Sequence, residues 1–231
     1  GIYTVKEVQA PANYGLNPTV FTADIEFAGQ VVKLNVTDPV ITAGVSIKKT
    51  GYAQTMNNNV MRWTVSGVRN DSTTSLQSFY WRDTLPTDAV RLTRLVTGTY
   101  STTQTYKVTF TTNLNSQWRT AYDNLSTAKN YTLDMSSAAL GLASNEYVTQ
   151  FMLSFGIVPA GFHQLTNATV DAQTLYALTN GYKFTNKADV GGLLGGNWVQ
   201  SIARWTTSVY SHYVPAKPAA PKSPKLPRTG Y

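Results

Sequence analysis

Lys49, Asp83 and Asn186 each stand on the apolar phase of a period-two run. Successive side chains of a strand point to opposite faces, so alternate positions share one face. In the run that begins at Val45, residues Val45, Ile47 and Lys49 fall together, opposite Ser46 and Lys48. Asp83 shares its face with Phe79, Trp81 and Leu85, and Asn186 shares its face with Tyr182, Phe184 and Ala188. Burying a charge is costly unless it is paired or neutralised. An inward lysine, acid and amide therefore form a set with a chemistry. Burial favours the neutral amine of a lysine, which is a nucleophile. A protonated carboxyl can polarise the Asn carbonyl and shuttle protons. The product would be a Lys–Asn amide with loss of ammonia, tying an early strand to a late one. The alternative is an ordinary buried Lys–Asp pair beside a hydrogen-bonded Asn. A one-residue slip of the first strand would also make Lys48 the donor.

Strands must position these residues, and the sequence is rich in them. Alternating Thr-, Val- and Tyr-rich runs recur at Met61–Val65, Phe79–Asp83, Tyr106–Phe110, Tyr147–Phe155, Tyr182–Ala188 and Trp205–Val209. Many short strands separated by Gly, Asn and Asp turns predict an all-β, Ig-like sandwich over 43–213. Trp118 to Leu125 and Ser136 to Ala143 read as short helical turns in connections. The Gly-rich run 191–196 lacks the Lys-Ser/Thr of a phosphate loop and reads as a hairpin connection. Asp38-Pro39, followed by Thr42-Ala43-Gly44, marks a boundary before the sandwich. From Val214 the chain becomes a Pro/Lys-rich spacer, 214–231, with no capacity for a packed core.

Composition narrows the function classes. The 231 residues are 42% hydrophobic and 12% aromatic, enough for a real core, while charged residues make up only 13%. With no cysteine, disulfides, thiolate metal sites and Cys nucleophiles are excluded. Two histidines, His163 and His212, give no basis for a His-rich metal site or a Ser–His–Asp set. Neither a cofactor nor a metal is expected. The net charge of +7 does not read as a nucleic-acid surface, because Lys217, Lys222, Lys225 and Arg228 supply four of those charges from the tail. No apolar run approaches the roughly 20 residues of a membrane span.

The N-terminal segment repeats the inward-acid pattern. Glu7 lies on the face of Tyr3 and Val5, and Asp38 on the face of Val32, Leu34 and Val36. No lysine-bearing strand precedes them, and forty residues are too few for an independent sandwich. Residues 1–39 therefore read as half of a domain, or as a segment paired onto its neighbour, in a chain that reads as a piece of a longer one.

Several stretches of the sequence resemble motifs of Gram-positive surface proteins. YTVKEVQAPANY resembles the "Y-x-V-x-E-x-x-A-P-x-G-Y" segment of Cna B-type domains, which makes 1–39 the C-terminal part of such a domain. The resemblance implies Glu7 as the assisting acid and Asp38 as the acceptor of an isopeptide bond whose Lys donor would lie upstream. VSIKKTG, WRDTLP and KFTNKADV are similar to segments of the large isopeptide-bearing sandwich modules of pilins and adhesins. Carried over, that likeness selects Lys49, Asp83 and Asn186. The C-terminal Leu226-Pro227-Arg228-Thr229-Gly230 resembles the LPXTG sorting signal. It implies cleavage by a sortase after Thr229 and transfer of Thr229 to peptidoglycan or to a pilin subunit, with the protein extracellular and wall-linked. The expected function is a structural or adhesive surface module, stalk or minor-pilin-like, and not an enzyme. The alternatives are a carbohydrate-binding, lectin-like module using some of Trp63, Trp81, Trp118, Trp198 and Trp205, or a wall-associated glycosidase pairing Asp83 with Asp189 or Glu146.

Overall fold

The computed structural model describes residues 1–11, 14–56 and 59–210; the expected spacer, the sorting motif Leu226–Gly230 and His212 lie outside the described residues. Fifteen strands and no α-helix are present among the described residues. They are β1 (Ile2–Lys6), β2 (Val20–Asp24), β3 (Val45–Gly51), β4 (Val60–Asn70) and β5 (Leu76–Thr84). Next come β6 (Val90–Val96), β7 (Thr99–Tyr100), β8 (Thr105–Thr112), β9 (Arg119–Ser126) and β10 (Thr132–Asp134). The chain continues with β11 (Val148–Val158), β12 (Gln164–Thr166), β13 (Ala168–Thr174), β14 (Lys183–Leu194) and β15 (Asn197–Ser208).

From β3 onward these strands form an all-β sandwich. One sheet has the order β10-β6-β13-β4-β3 and the other β15-β14-β5-β11-β8-β9, with every ladder antiparallel. Alternation explains the core: inward positions of both sheets supply Trp63, Val65, Phe79, Trp81, Leu95, Val108, Phe151, Leu153, Val170 and Val190, all fully buried. At one end Phe79, Tyr100, Phe155 and Phe162 pack ring on ring, with Tyr100 stacked on Phe162 at 5.6 Å. The Tyr100 hydroxyl accepts from Trp81 Nε1 at 2.8 Å and donates to the Thr97 carbonyl at 3.0 Å, so the polar ends of both large side chains are satisfied.

One edge of the sandwich is closed by the chain that leaves β3. Thr55 N donates to the Ser208 carbonyl at 2.8 Å, and Ser208 N donates to the Ala53 carbonyl at 2.8 Å. Trp205 Nε1 and the Thr207 hydroxyl both donate to the Tyr52 carbonyl at 3.0 Å. These bonds hold β3, the edge of one sheet, over β14 and β15 of the other.

Two local expectations are corrected. Trp118 to Leu125 is not a helical turn: Arg119–Ser126 is β9, whose ladder with β8 shifts register twice and contains Asn124 at φ 54°. Those bulges break the period-two pattern that would otherwise mark a strand. The Gly-rich run is mostly strand, since Gly191 to Leu194 complete β14. Only Gly195 and Gly196 turn, with φ of 56° and 83°, the positive pair that a two-residue hairpin loop needs. Ser136 to Ala143 is a compact turn as expected, with Leu140 N donating to the Ser136 carbonyl at 3.1 Å.

The N-terminal segment is different in kind. β1 and β2 pair from Ile2↔Asp24 to Lys6↔Val20. Ile2, Tyr3, Val5, Val20 and Phe27 are exposed, and Ala23 is the one buried apolar side chain described in 1–39. A two-stranded ribbon offers no second layer to bury an apolar face against.

Candidate functional site

Lys49, Asp83 and Asn186 meet inside the sandwich. β3 carries Lys49 inward while Lys48 is exposed, so of the two lysines Lys49 is the one directed to the core. On the facing sheet Asp83 of β5 is directly opposite Ala188 of β14. Asn186, two residues before Ala188, is its diagonal neighbour on the same face. Lys49 and Asn186 therefore sit in different, facing sheets and not on hydrogen-bonded neighbour strands. A bond between them would join the two layers.

The Lys49 Nζ and Asp83 Oδ2 are in direct contact, with both side chains fully out of water. The surroundings are apolar: the Lys49 Nζ lies 5.7 Å from the centre of the Trp63 ring, and Trp63 meets Phe184 edge-on at 6.3 Å. Burial pushes the Lys49 amine down, and the opposing pull of Asp83 does not cancel it. Burial likewise pushes the Asp83 carboxyl up, against the Lys49 charge and the polar contacts of Lys49 and Asn186. Both directions favour a neutral amine beside a protonated acid.

Asn186 is the anomaly. It is completely buried, and neither its Oδ1 nor its Nδ2 completes a hydrogen bond of normal geometry. The amide lies close enough to favour the Asp83 carboxylate, yet Asp83 Oδ1 is also unpartnered. Native interiors leave few such groups, because each orphan donor or acceptor forfeits about 1–3 kcal/mol of solvation. The arrangement is thus an amine nucleophile, an acid and an unsatisfied carboxamide in one dry space.

The other expected sites separate. Glu7 and Asp38 do come together: Asp38 is pushed up by burial first and then by the charge and hydrogen bond of Glu7. Glu7 also accepts from Asn17 N at 2.6 Å. The acid pairs of a glycosidase do not share a cleft. Asp83 faces the core, whereas Asp189 lies on the outer face of the same sheet, bound by Arg82 at 3.0 and 3.1 Å and by the Tyr80 hydroxyl at 3.1 Å. Glu146 is held by Arg119 and by the Thr112 hydroxyl at 2.7 Å. Among the tryptophans, Trp63 and Trp81 are core, whereas Trp118 and Trp198 reach the surface.

Sequence reasoning missed a groove on the outer face of the six-stranded sheet, beside Trp198. It was hidden because β15 carries large residues on both phases, Trp198 and Ile202 on one and Val199 and Trp205 on the other. The usable signal was the pairing of Trp198 with Gln200 and Arg204 on a single phase.

No family model matches the chain, and no curated protein matches it. Among solved structures it is similar to the full-length major pilin SpaD of Corynebacterium diphtheriae, at 16% identity over 90% of this chain and 47% of that one, with a TM-score of 0.39. It is similar to the major pilin subunit of Bacillus cereus at 11% identity over 91% of this chain and 55% of that one, TM-score 0.36. The collagen-binding domain of a Staphylococcus aureus adhesin matches at 13% identity over 74% of this chain and all of that one, TM-score 0.33. The chain spans about half the length of the two pilins.

Proposed function

We propose that the chain is a structural or adhesive module of a Gram-positive cell surface, locked by a self-formed amide between Lys49 and Asn186. The observation that carries this reading is the buried Asn186 carboxamide without a hydrogen bond of normal geometry, beside a lysine and an acid that burial shifts toward their neutral forms. In the reaction the Lys49 Nζ attacks Asn186 Cγ while protonated Asp83 polarises the carbonyl oxygen. The C–N bond to Nζ forms, the bond to Nδ2 breaks, and Asp83 relays a proton from Nζ to the leaving nitrogen, which departs as ammonia. No co-reactant is needed. Intact mass spectrometry of the purified chain tests it. The expected mass is short by one ammonia, with a Lys49–Asn186 linked peptide after digestion. An unmodified mass overturns the lock.

Anchoring is the second part of the reading. The support is the sequence Leu226–Gly230, which follows a Pro/Lys-rich stretch and fits the LPXTG pattern. A sortase is then the processing partner, with peptidoglycan or a pilin subunit accepting Thr229 and the protein held outside the cell at the wall. Incubation with a sortase and an amine nucleophile should release Gly230-Tyr231, and Thr229→Ala should abolish the release. Absence of cleavage by several sortases would remove the anchoring claim while leaving the lock untouched.

A further inference from the structure

The groove beside Trp198 has a volume of about 710 Å³ and runs over the outer face of the six-stranded sheet. Its shape comes from a concentration of bulges. β5 and β11 shift register on either side of Gly156, and β14 and β5 shift between Gly191 and Leu193. Ser78, which lines the groove, sits at φ 50°, a strained value for a residue with a side chain. Bulges in neighbouring strands bend the sheet and open a trough where a flat face would offer none.

The side chains in the trough follow the register. One row across the sheet runs Gln200, Gly191, Tyr80, Ser154, Lys107. Gly191 leaves room for the Tyr80 ring, since any Cβ there would come within 3.0 Å of it. The Tyr80 hydroxyl accepts from Gln200 Nε2 at 2.9 Å, and Trp198 meets Tyr80 edge-on at 5.9 Å. Tyr80 is thereby fixed, and Trp198, still 55% exposed, presents an indole braced at its edge. That is a built platform with an open face.

Charge identifies what would cover it. The acid nearest the platform, Asp189, is already consumed by Arg82 and Tyr80, whereas Asp123, the acid that lines the groove, stands on β9 at the opposite edge of the sheet from Trp198. Lys187 and Arg204 stand directly opposite each other on β14 and β15, outside the groove's own lining but on the same outer face, two positions beyond Asp189. Like charges in that position repel. Among the described residues no carboxylate pairs with either of them, nor with Lys107. A cation pair that destabilises its own sheet calls for an anionic partner, and the exposed indole calls for one with a flat apolar face.

We propose that this face binds an acidic polysaccharide. A sugar ring stacks on Trp198, its hydroxyls reach Gln200 and Ser154, and its carboxylate or sulfate groups lie against Lys107 and the Lys187–Arg204 pair. An open trough suits a chain that passes through better than a compact ligand. The site is separate from the Lys49–Asn186 lock, on the opposite side of the sheet, so either can fail alone.

The test is isothermal titration of the full chain with hyaluronan and heparin oligosaccharides, with dextran as the neutral arm and a Pro/Gly-rich peptide as the competing class. Saturable binding to an acidic oligosaccharide is expected, with little to dextran and with affinity falling as salt rises. Trp198→Ala should weaken it at least tenfold, as should the double variant Lys187→Glu/Arg204→Glu, whereas Phe27→Ala should not change it. The tryptophan variant separates this face from the cationic C-terminal tail, since attraction of sulfate groups to its lysines and arginine would need no indole. Trp198, Lys187 and Arg204 all lie on the outer face of the sheet, and an unchanged circular dichroism spectrum verifies folding. Equal affinity for dextran, binding undisturbed by Trp198→Ala, binding of the peptide alone, or no binding at all would each overturn the proposal.

Discussion

Replacing Lys49 by Met and Asp83 by Leu in one chain lowers the melting temperature by roughly 10–20 °C. The direction separates a covalent lock from a plain ion pair. A buried pair exchanged for apolar residues of similar volume is neutral or stabilising, because the desolvation of two charges disappears with their attraction. A crosslink behaves otherwise. The Lys49–Asn186 bond would close a loop of more than a hundred residues, and opening it returns about 4–5 kcal/mol of chain entropy to the unfolded state. In a domain of this size each kcal/mol is worth about 2–4 °C. Asp83→Ala should fall further than the double variant, since it also blocks the bond but strands Lys49 in the core without its acid. The measurement is calorimetry of wild type, single and double variants, each with its intact mass. A double variant that melts at or above the wild type would reduce the set to an ordinary ion pair.

Period-two alternation alone placed Lys49, Asp83 and Asn186 inward, and all three are buried. It worked there because each follows an aromatic or branched neighbour on its own phase, Ile47, Trp81 and Phe184, which marks that phase as the core face. It could not show how the strands are arranged in space. That Lys49 reaches Asp83 across the sandwich, and not along one sheet, depends on the edge formed by Tyr52, Trp205 and Ser208, which no local pattern encodes. Alternation fails where the ladder is bulged: β9 reads as a helical turn, and the trough under Trp198 exists only because Ser78 and Gly156 break the register. Bulges are tertiary features, fixed by what the bent strand must reach.

The arginine clamp on Asp171 escaped the sequence for the same reason, and it gives the second large effect. Asp171 of β13 lies between two strands, opposite Arg62 of β4 and Arg94 of β6. Arg62 binds it in bidentate fashion, Nε at 2.6 Å and a terminal nitrogen at 2.9 Å, and Arg94 Nε adds a bond at 2.7 Å. Its side chain is only 8% exposed. Burial alone would push the carboxyl up, but the hydrogen bonds and charges of the two guanidiniums outweigh it and hold the group below the usual carboxylate range. Because the folded value is depressed, the stabilisation is fully present above the unfolded value, about pH 4, and is lost as pH falls through the folded one. Asp171→Asn should therefore cost about 1–3 kcal/mol near neutral pH, less than a wholly buried pair because both arginines remain partly in water. It leaves two guanidiniums on strands flanking a neutral side chain, and the repulsion between them sets the upper end of that range. Urea unfolding of both chains from pH 7 to pH 2 checks it. The two stabilities should converge as Asp171 protonates, and a constant difference across that window would mean that the loss is packing, not charge.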